Sequence, residues 1–261
     1  MTPGFTPPSF TPPDFTAPGS RPPRPALLQV EGLHVSYGKA EVVHGASLAV
    51  GEGEFVVMLG RNGAGKSTIL NAICGLVPSR GGRVVLGGED LSRSSPRDRV
   101  RAGIVPVLEG HRVFTTLSVE DNLLLGTYAR TPRGDRAKLP AIYDLFPELA
   151  ERRHLQASRL SGGQQQILAV GQGVIAEPRL LILDEPSGGL SPVLVDRILA
   201  VARSLCASGT AVLLVEQLVE KALRHAHYGY LLETGRVVGE GTPQTLHEGT
   251  LLQRVYLGGD L

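Results

Sequence analysis

The 261-residue chain has no tryptophan, two cysteines, two methionines and four lysines, and only 5% of its residues are aromatic. The cysteines, Cys74 and Cys206, stand far apart in apolar stretches of helical spacing. That arrangement excludes a C-x-x-C redox pair or a clustered metal site and fits small buried hydrophobes in a reducing compartment. A net charge of +1 excludes nucleic-acid binding by bulk electrostatics. Long apolar runs are also missing: the best, 167–183, is interrupted by Gln172, Glu177, Pro178 and Arg179. The N-terminus lacks the basic start and apolar core of a signal peptide, so membrane contact is expected only through partners. What is present, 42% hydrophobic and 20% charged residues, is the composition of an ordinary globular protein. Lysine occurs only at Lys39, Lys66, Lys138 and Lys221, which makes Lys66 conspicuous.

Residues 1–25 differ in kind from the rest. Phe5-Thr6-Pro7-Pro8, Phe10-Thr11-Pro12-Pro13 and Phe15-Thr16-Ala17-Pro18 repeat with a five-residue step. Proline removes backbone donors and favours extended PPII conformation, so a disordered arm is expected, either a tolerated tail or a set of phenylalanine anchors for a partner. From 26 onward, 27–35 and 42–50 alternate like half-buried strands, and 54–59 is a short apolar strand that runs into a glycine-rich loop. The stretch 66–76 reads as a helix burying Ile69, Leu70, Ala72 and Ile73, and 83–86 as a strand. Between about 90 and 160 the pattern turns mostly helical (96–102, 119–130, 139–149), as an insertion would. Helix 162–176, strand 179–184, then 192–207, 211–216, 219–226 and 230–238 resume the alternation, and 242–257 predicts a terminal helix. Strands alternating with helices predict an α/β fold with a mainly parallel sheet covered on both faces.

Three motifs carry chemistry. Gly60-Arg61-Asn62-Gly63-Ala64-Gly65-Lys66-Ser67, followed by Thr68, matches the P-loop pattern G-x-x-x-x-G-K-[ST] between a predicted strand and a predicted helix. Glycines let the backbone curl so that successive N–H groups point at phosphate oxygens, and the helix adds its positive end. Lys66 then meets the β- and γ-phosphates of ATP, and the Ser67 hydroxyl binds Mg²⁺. Leu180-Leu181-Ile182-Leu183-Asp184-Glu185 is a buried strand delivering two carboxylates at its C-terminal end, Asp184 for the metal and Glu185 to polarise the attacking water. Leu160-Ser161-Gly162-Gly163-Gln164-Gln165 opens a helix as either an ordinary Ser cap or a second anion-binding terminus.

In this order the three motifs resemble the P-loop, the acidic strand and the signature of ABC ATPases, over roughly 27–258. The resemblance implies a P-loop NTPase cassette with an antiparallel N-terminal β subdomain and a helical insertion. It implies that Ser161, Gly162 and Gly163 act in trans, closing on the nucleotide of a facing cassette. It also implies that Tyr37, followed by Gly38, stacks on adenine. Two switch positions depart from the general pattern: Glu109 stands for a glutamine, and Gln217 for a histidine. Together with Leu108-Glu109-Gly110-His111-Arg112-Val113-Phe114, Leu214-Val215-Glu216-Gln217 and the terminal Val255-Tyr256-Leu257-Gly258-Gly259, they resemble branched-chain amino-acid importer ATP-binding subunits of the LivF type.

In that group Glu109 and Gln217 belong to the catalytic set, with Glu109 also near the metal. Leu108, Leu218 and Gln172 depart even from this group. The implied partners are a second cassette, in a heterodimer or a homodimer, and integral membrane permease subunits. The implied location is the cytoplasmic face of the cell membrane. Urea or short-amide import and a non-transport ABC regulator are the alternatives.

Overall fold

The structure, a computed structural model, describes residues 25–110, 113–129, 131 and 134–257. The proline-rich arm up to residue 24, His111, Arg112, Gly258 and Gly259 lie outside the described residues.

Strands β1 (Ala26–Tyr37) and β2 (Ala40–Gly51) form an antiparallel hairpin whose turn holds Gly38 at φ 59°. After β3 (Phe55–Leu59) and α1 (Lys66–Ile73), β4 (Ser79–Leu86) returns antiparallel to β1, and the short β5 (Glu89–Asp90) pairs with β4. Next come α2 (Pro96–Ala102), β6 (Ile104–Val107), α3 (Val119–Leu125), α4 (Leu139–Leu145), α5 (Pro147–Glu151) and α6 (Gly162–Val174). The chain continues through β7 (Leu180–Asp184), α7 (Pro192–Ala207), β8 (Ala211–Glu216) and α8 (Val219–His225). It closes with β9 (Tyr228–Glu233), β10 (Arg236–Gly241), α9 (Pro243–Glu248) and α10 (Thr250–Leu257). Among the described residues two sheets form, β2-β1-β4-β5 and β10-β9-β3-β8-β7-β6. The second is parallel from β9 to β6, with β10 antiparallel at its edge.

The apolar runs explain the central strands. Every residue of β3, β7 and β8 is buried, as expected of strands covered on both faces. Strand alternation splits them between two cores. Phe55, Val57, Leu59, Leu181, Leu183, Val212 and Leu214 pack with Leu123, Ile142, Leu168 and Ile198 from α3, α4, α6 and α7. Val56, Met58, Leu180, Ile182, Leu213 and Val215 face α1 and the antiparallel sheet.

Several sequence expectations change. The expected helix 119–130 stops at Leu125: the amides of Gly126, Thr127 and Tyr128 turn to carbonyls three residues back, and the Thr127 hydroxyl takes the Leu124 carbonyl. The stretch 139–149 is two helices broken at Phe146, as the residue before a proline is driven from helical geometry. The expected strand 230–238 is a hairpin, with Thr234 (φ 45°) and Gly235 (φ 73°) turning between β9 and β10. The terminal helix is interrupted at Gly249. The strand expected at 104–108, within the stretch that otherwise reads as a helical insertion, is present as β6, which pairs with β7 and forms the edge of the central sheet.

Arg99 on α2 fastens the C-terminal end of α1. Only 4% exposed, it donates from Nη1 to the carbonyls of Ala72 and Ile73, from Nη2 to Ser92 and from Nε to Ser94. The helix end thereby has its last carbonyls, Ala72 (which also accepts from the Gly75 amide) and Ile73, met by a cation, the charge its dipole favours. Arg99→Met is expected to lower the unfolding free energy by about 1–3 kcal/mol in a denaturant titration, since it removes the cation from the Ile73 carbonyl and leaves the Ala72 carbonyl with the Gly75 amide alone. A loss under about 0.5 kcal/mol would show that water replaces the guanidinium.

Candidate nucleotide site

Strands β3, β7 and β8 run parallel and in register, Leu59 beside Glu216 and Asp184 beside Val215, so their C-terminal ends form one edge. That edge is where ligands bind in open α/β sheets. The loop 60–65 leaves β3 there and enters α1, with Gly63 at φ 80° and Gly65 at φ 100°, a left-handed path that favours glycine. Lys66, 4% exposed, curls back inside the loop. Its Nζ donates to the Gly60 carbonyl at 2.8 Å and to that of Arg61 at 3.2 Å, and lies 3.5 Å from Glu185 Oε1. Ala64 and Gly65 are buried, whereas Arg61, Asn62 and Gly63 are exposed, and Ser67 and Thr68 are half-buried.

The loop is braced from the far end of the chain. The Gly60 amide donates to Tyr256 Oη of α10 at 2.8 Å, and a Cβ on Gly60 would lie 2.4 Å from the Leu232 carbonyl oxygen. The Gly235 amide donates to the Ala64 carbonyl at 2.8 Å, and a Cβ there would fall 1.9 Å from the Val42 oxygen. Sequence reasoning did not place Tyr256 or Gly235 in the site. A Thr-Gly dipeptide inside an apolar strand was the available signal for Gly235; Tyr256 carried none.

Ser67 Oγ donates to Asp184 Oδ1 at 3.2 Å. Burial pushes the Asp184 carboxyl up to about 6, opposed by the Ser67 hydroxyl and Lys66 and reinforced by the charges of Glu185 and Glu109. A hydroxyl and a carboxylate this short of solvent make a hard-oxygen pair that fits Mg²⁺, which is bound by one or two protein oxygens together with substrate phosphates. No group of three or more His, Cys, Asp or Glu suited to a metal occurs among the described residues, so the donors here do not form an all-protein cage. Next along the chain, Glu185 adopts φ 44° and donates its amide to the Val215 carbonyl. Gln217, just past β8, donates from Nε2 to Glu185 Oε2 at 2.5 Å.

Lys66, Ser67, Asp184, Glu185 and Gln217 are thus joined by direct contacts, and Glu109, exposed just past β6, stands near enough to act on Asp184. The other expected residues lie on different elements. Tyr37 is half-exposed at the end of β1. Ser161, Gly162 and Gly163 open α6, where Ser161 and Gln164 form a complete capping box. Glu216, which sequence reasoning passed over, is the most buried acid at this edge, 1% exposed.

The raised Asp184 value has a consequence for stability. The folded chain retains a proton that the unfolded chain releases near 3.8, so this group favours folding at low pH and that contribution is lost as pH rises through about 6. At about pH 7, Asp184→Asn is expected to make the nucleotide-free chain more stable than the parent by about 1–3 kcal/mol, shrinking toward pH 4. Denaturant titrations at the two pH values measure it, and equal stability at both would contradict the strained carboxylate.

The comparisons with known proteins agree with this geometry. The family described as ABC transporter matches residues 43–188. The high-affinity branched-chain amino acid transport ATP-binding protein BraG of Pseudomonas aeruginosa is 38% identical over 89% of this chain and 100% of its own length. The probable branched-chain amino acid transport ATP-binding protein LivF of Archaeoglobus fulgidus is 32% identical over 89% and 99%. The lipopolysaccharide export system ATP-binding protein LptB of Escherichia coli is also 32% identical, over 90% and 98%. A solved ATP-binding subunit of an ABC transporter superposes with a TM-score of 0.78 at 28% identity, over 89% of this chain and 98% of that one. A nucleotide-free ATP-binding cassette from an ABC transporter shares the fold, with a TM-score of 0.79 at 23% identity over 90% and 100%. The chain belongs to the ABC transporter family, as one of its ATP-binding cassettes.

Proposed function

We propose that this cassette binds ATP with Mg²⁺, hydrolyses it, and powers an importer of branched-chain or related amino acids. The observation that carries the reading is the convergence of Lys66, Ser67, Asp184, Glu185 and Gln217 at one sheet edge. In this reading the amides of the loop 60–68 and the Lys66 ammonium hold the phosphates, while Tyr37 stacks on adenine. Ser67 and Asp184 hold Mg²⁺, which when bound neutralises charge on the phosphate oxygens. Glu185 accepts a proton from the attacking water, Gln217 orients the Glu185 carboxylate, and Glu109 reports on the bound state.

Ser161, Gly162 and Gly163 open a helix that carries no part of its own P-loop, and serve the nucleotide of a second cassette. That cassette is a related but different chain in our reading. ATP draws the two together, hydrolysis releases them, and the helices α3 to α5 pass the motion to permease subunits. No helix among the described residues is long and apolar enough to cross a membrane. In our reading the chain works at the cytoplasmic face, held there by its permeases. The cargo reading rests on the printed roles of BraG and LivF and on Glu109 and Gln217 at the switch positions.

Glu185→Gln, in the complex with the partner cassette, is expected to lower kcat by about 10²–10³ while leaving the ATP dissociation constant within a few-fold. Unchanged turnover would remove the motor assignment from this site. For cargo, cells lacking this gene are expected to lose uptake of labelled leucine, isoleucine and valine. Loss of urea uptake with leucine uptake intact would assign the short-amide cargo instead.

A further inference from the structure

We propose that Glu216 is a positioning residue for hydrolysis, tying the loop that follows Glu185 to the loop that carries Gln217. The proposal rests on the ATPase reading above and adds a residue to it.

Glu216 ends β8, 1% exposed, with its backbone paired beside Leu59 at the entry to the phosphate loop. Its Oε1 accepts from the Ser187 amide at 3.0 Å. Its Oε2 accepts from the Ser187 hydroxyl at 2.8 Å, the Gln217 amide at 2.9 Å and the Leu218 amide at 3.3 Å. Burying a carboxylate is costly unless it is fully hydrogen-bonded, and here all four donors come from two loops and none from a core element. One loop begins two residues before Ser187 with Glu185, which adopts φ 44° and donates its amide hydrogen to the Val215 carbonyl. The other begins with Gln217, whose side chain reaches Glu185 Oε2 at 2.5 Å. The Glu185–Gln217 contact therefore closes an arc whose two ends Glu216 holds.

Two alternative roles fit less well. Glu216 cannot serve as the general base, because both its oxygens are already engaged by backbone and hydroxyl donors. A space-filling role would need no charge. Glutamine, the same shape, would turn an NH₂ group toward Ser187 on one side or toward the Gln217 and Leu218 amides on the other, setting donor against donor.

The test compares the parent with Glu216→Gln, Ser187→Ala and the double variant, each full-length and in the complex with the partner cassette. It reads MgATP turnover, ATP affinity, thermal unfolding and amide hydrogen exchange. For Glu216→Gln we expect kcat to fall by about tenfold or more, with ATP affinity within about threefold of the parent. Exchange should quicken together at Ser187, Gln217 and Leu218. Ser187→Ala should cost less, and the double variant no more than Glu216→Gln alone, because both changes break one network. Unchanged kcat would overturn the proposal. So would a kcat loss matched by equal losses of ATP affinity and unfolding temperature, the pattern of a merely structural residue.

If Glu216→Gln fails to fold, Ser187→Ala decides: a lowered kcat at unchanged ATP affinity supports the tether, and an unchanged kcat overturns it. A parent that binds ATP without turnover would sink the ATPase reading instead. The exchange data would still judge the tether, supported if both loops open together and overturned if either stays closed.

Discussion

Lys66 places an ammonium group inside the curl of its own loop, bonded to the carbonyls of Gly60 and Arg61 and facing Glu185, and much of the surrounding structure serves to keep it there. A buried cation needs acceptors, and a loop with two left-handed glycines supplies them only if its path is fixed. The path is fixed from three directions: Tyr256 on the first amide, the Leu232 carbonyl against Gly60, and the Gly235 amide on Ala64. Each brace comes from the last quarter of the sequence. The phosphate loop is thus a local motif in sequence and a long-range assembly in space.

The acidic side of the site is built by the opposite logic. Strands β7 and β8 are buried on both faces and end together, so their terminal acids Asp184 and Glu216 are carried out of water by the sheet itself. One carboxyl, Asp184, meets a single hydroxyl and is pushed up to about 6, chiefly by burial. The other, Glu216, meets four donors and is spent on holding loops in place. The contrast separates a group that would hold the proposed Mg²⁺ from one that ties backbone amides together, although both are acids at neighbouring strand ends.

Much of this was legible in the sequence because it depends on short-range rules. The P-loop spacing and the apolar run into Asp184 locate the site without tertiary information. The apolar strands likewise announce the parallel sheet. What was not legible depends on encounters between distant segments. At Gly126, just past α3, a Cβ would meet the Gln172 backbone across the helical layer, and nothing near residue 126 says so. The role of Glu216 is hidden for the same reason: a Glu at a strand end reads as a solvated acid until Ser187 and Gln217 are found around it. The break at Phe146 and the turn at Gly235 were readable from Pro147 and from the Thr-Gly step, and were overridden by apolar periodicity.

The central claim is that the amides of the loop 60–68, organised around Lys66, hold the phosphates of ATP. Hydrogen exchange of the full-length chain with and without MgATP tests it most directly. The account predicts that protection appears first and most strongly at Gly63, Ala64, Gly65, Lys66 and Ser67. Binding of ATP with no added protection in that loop would contradict it.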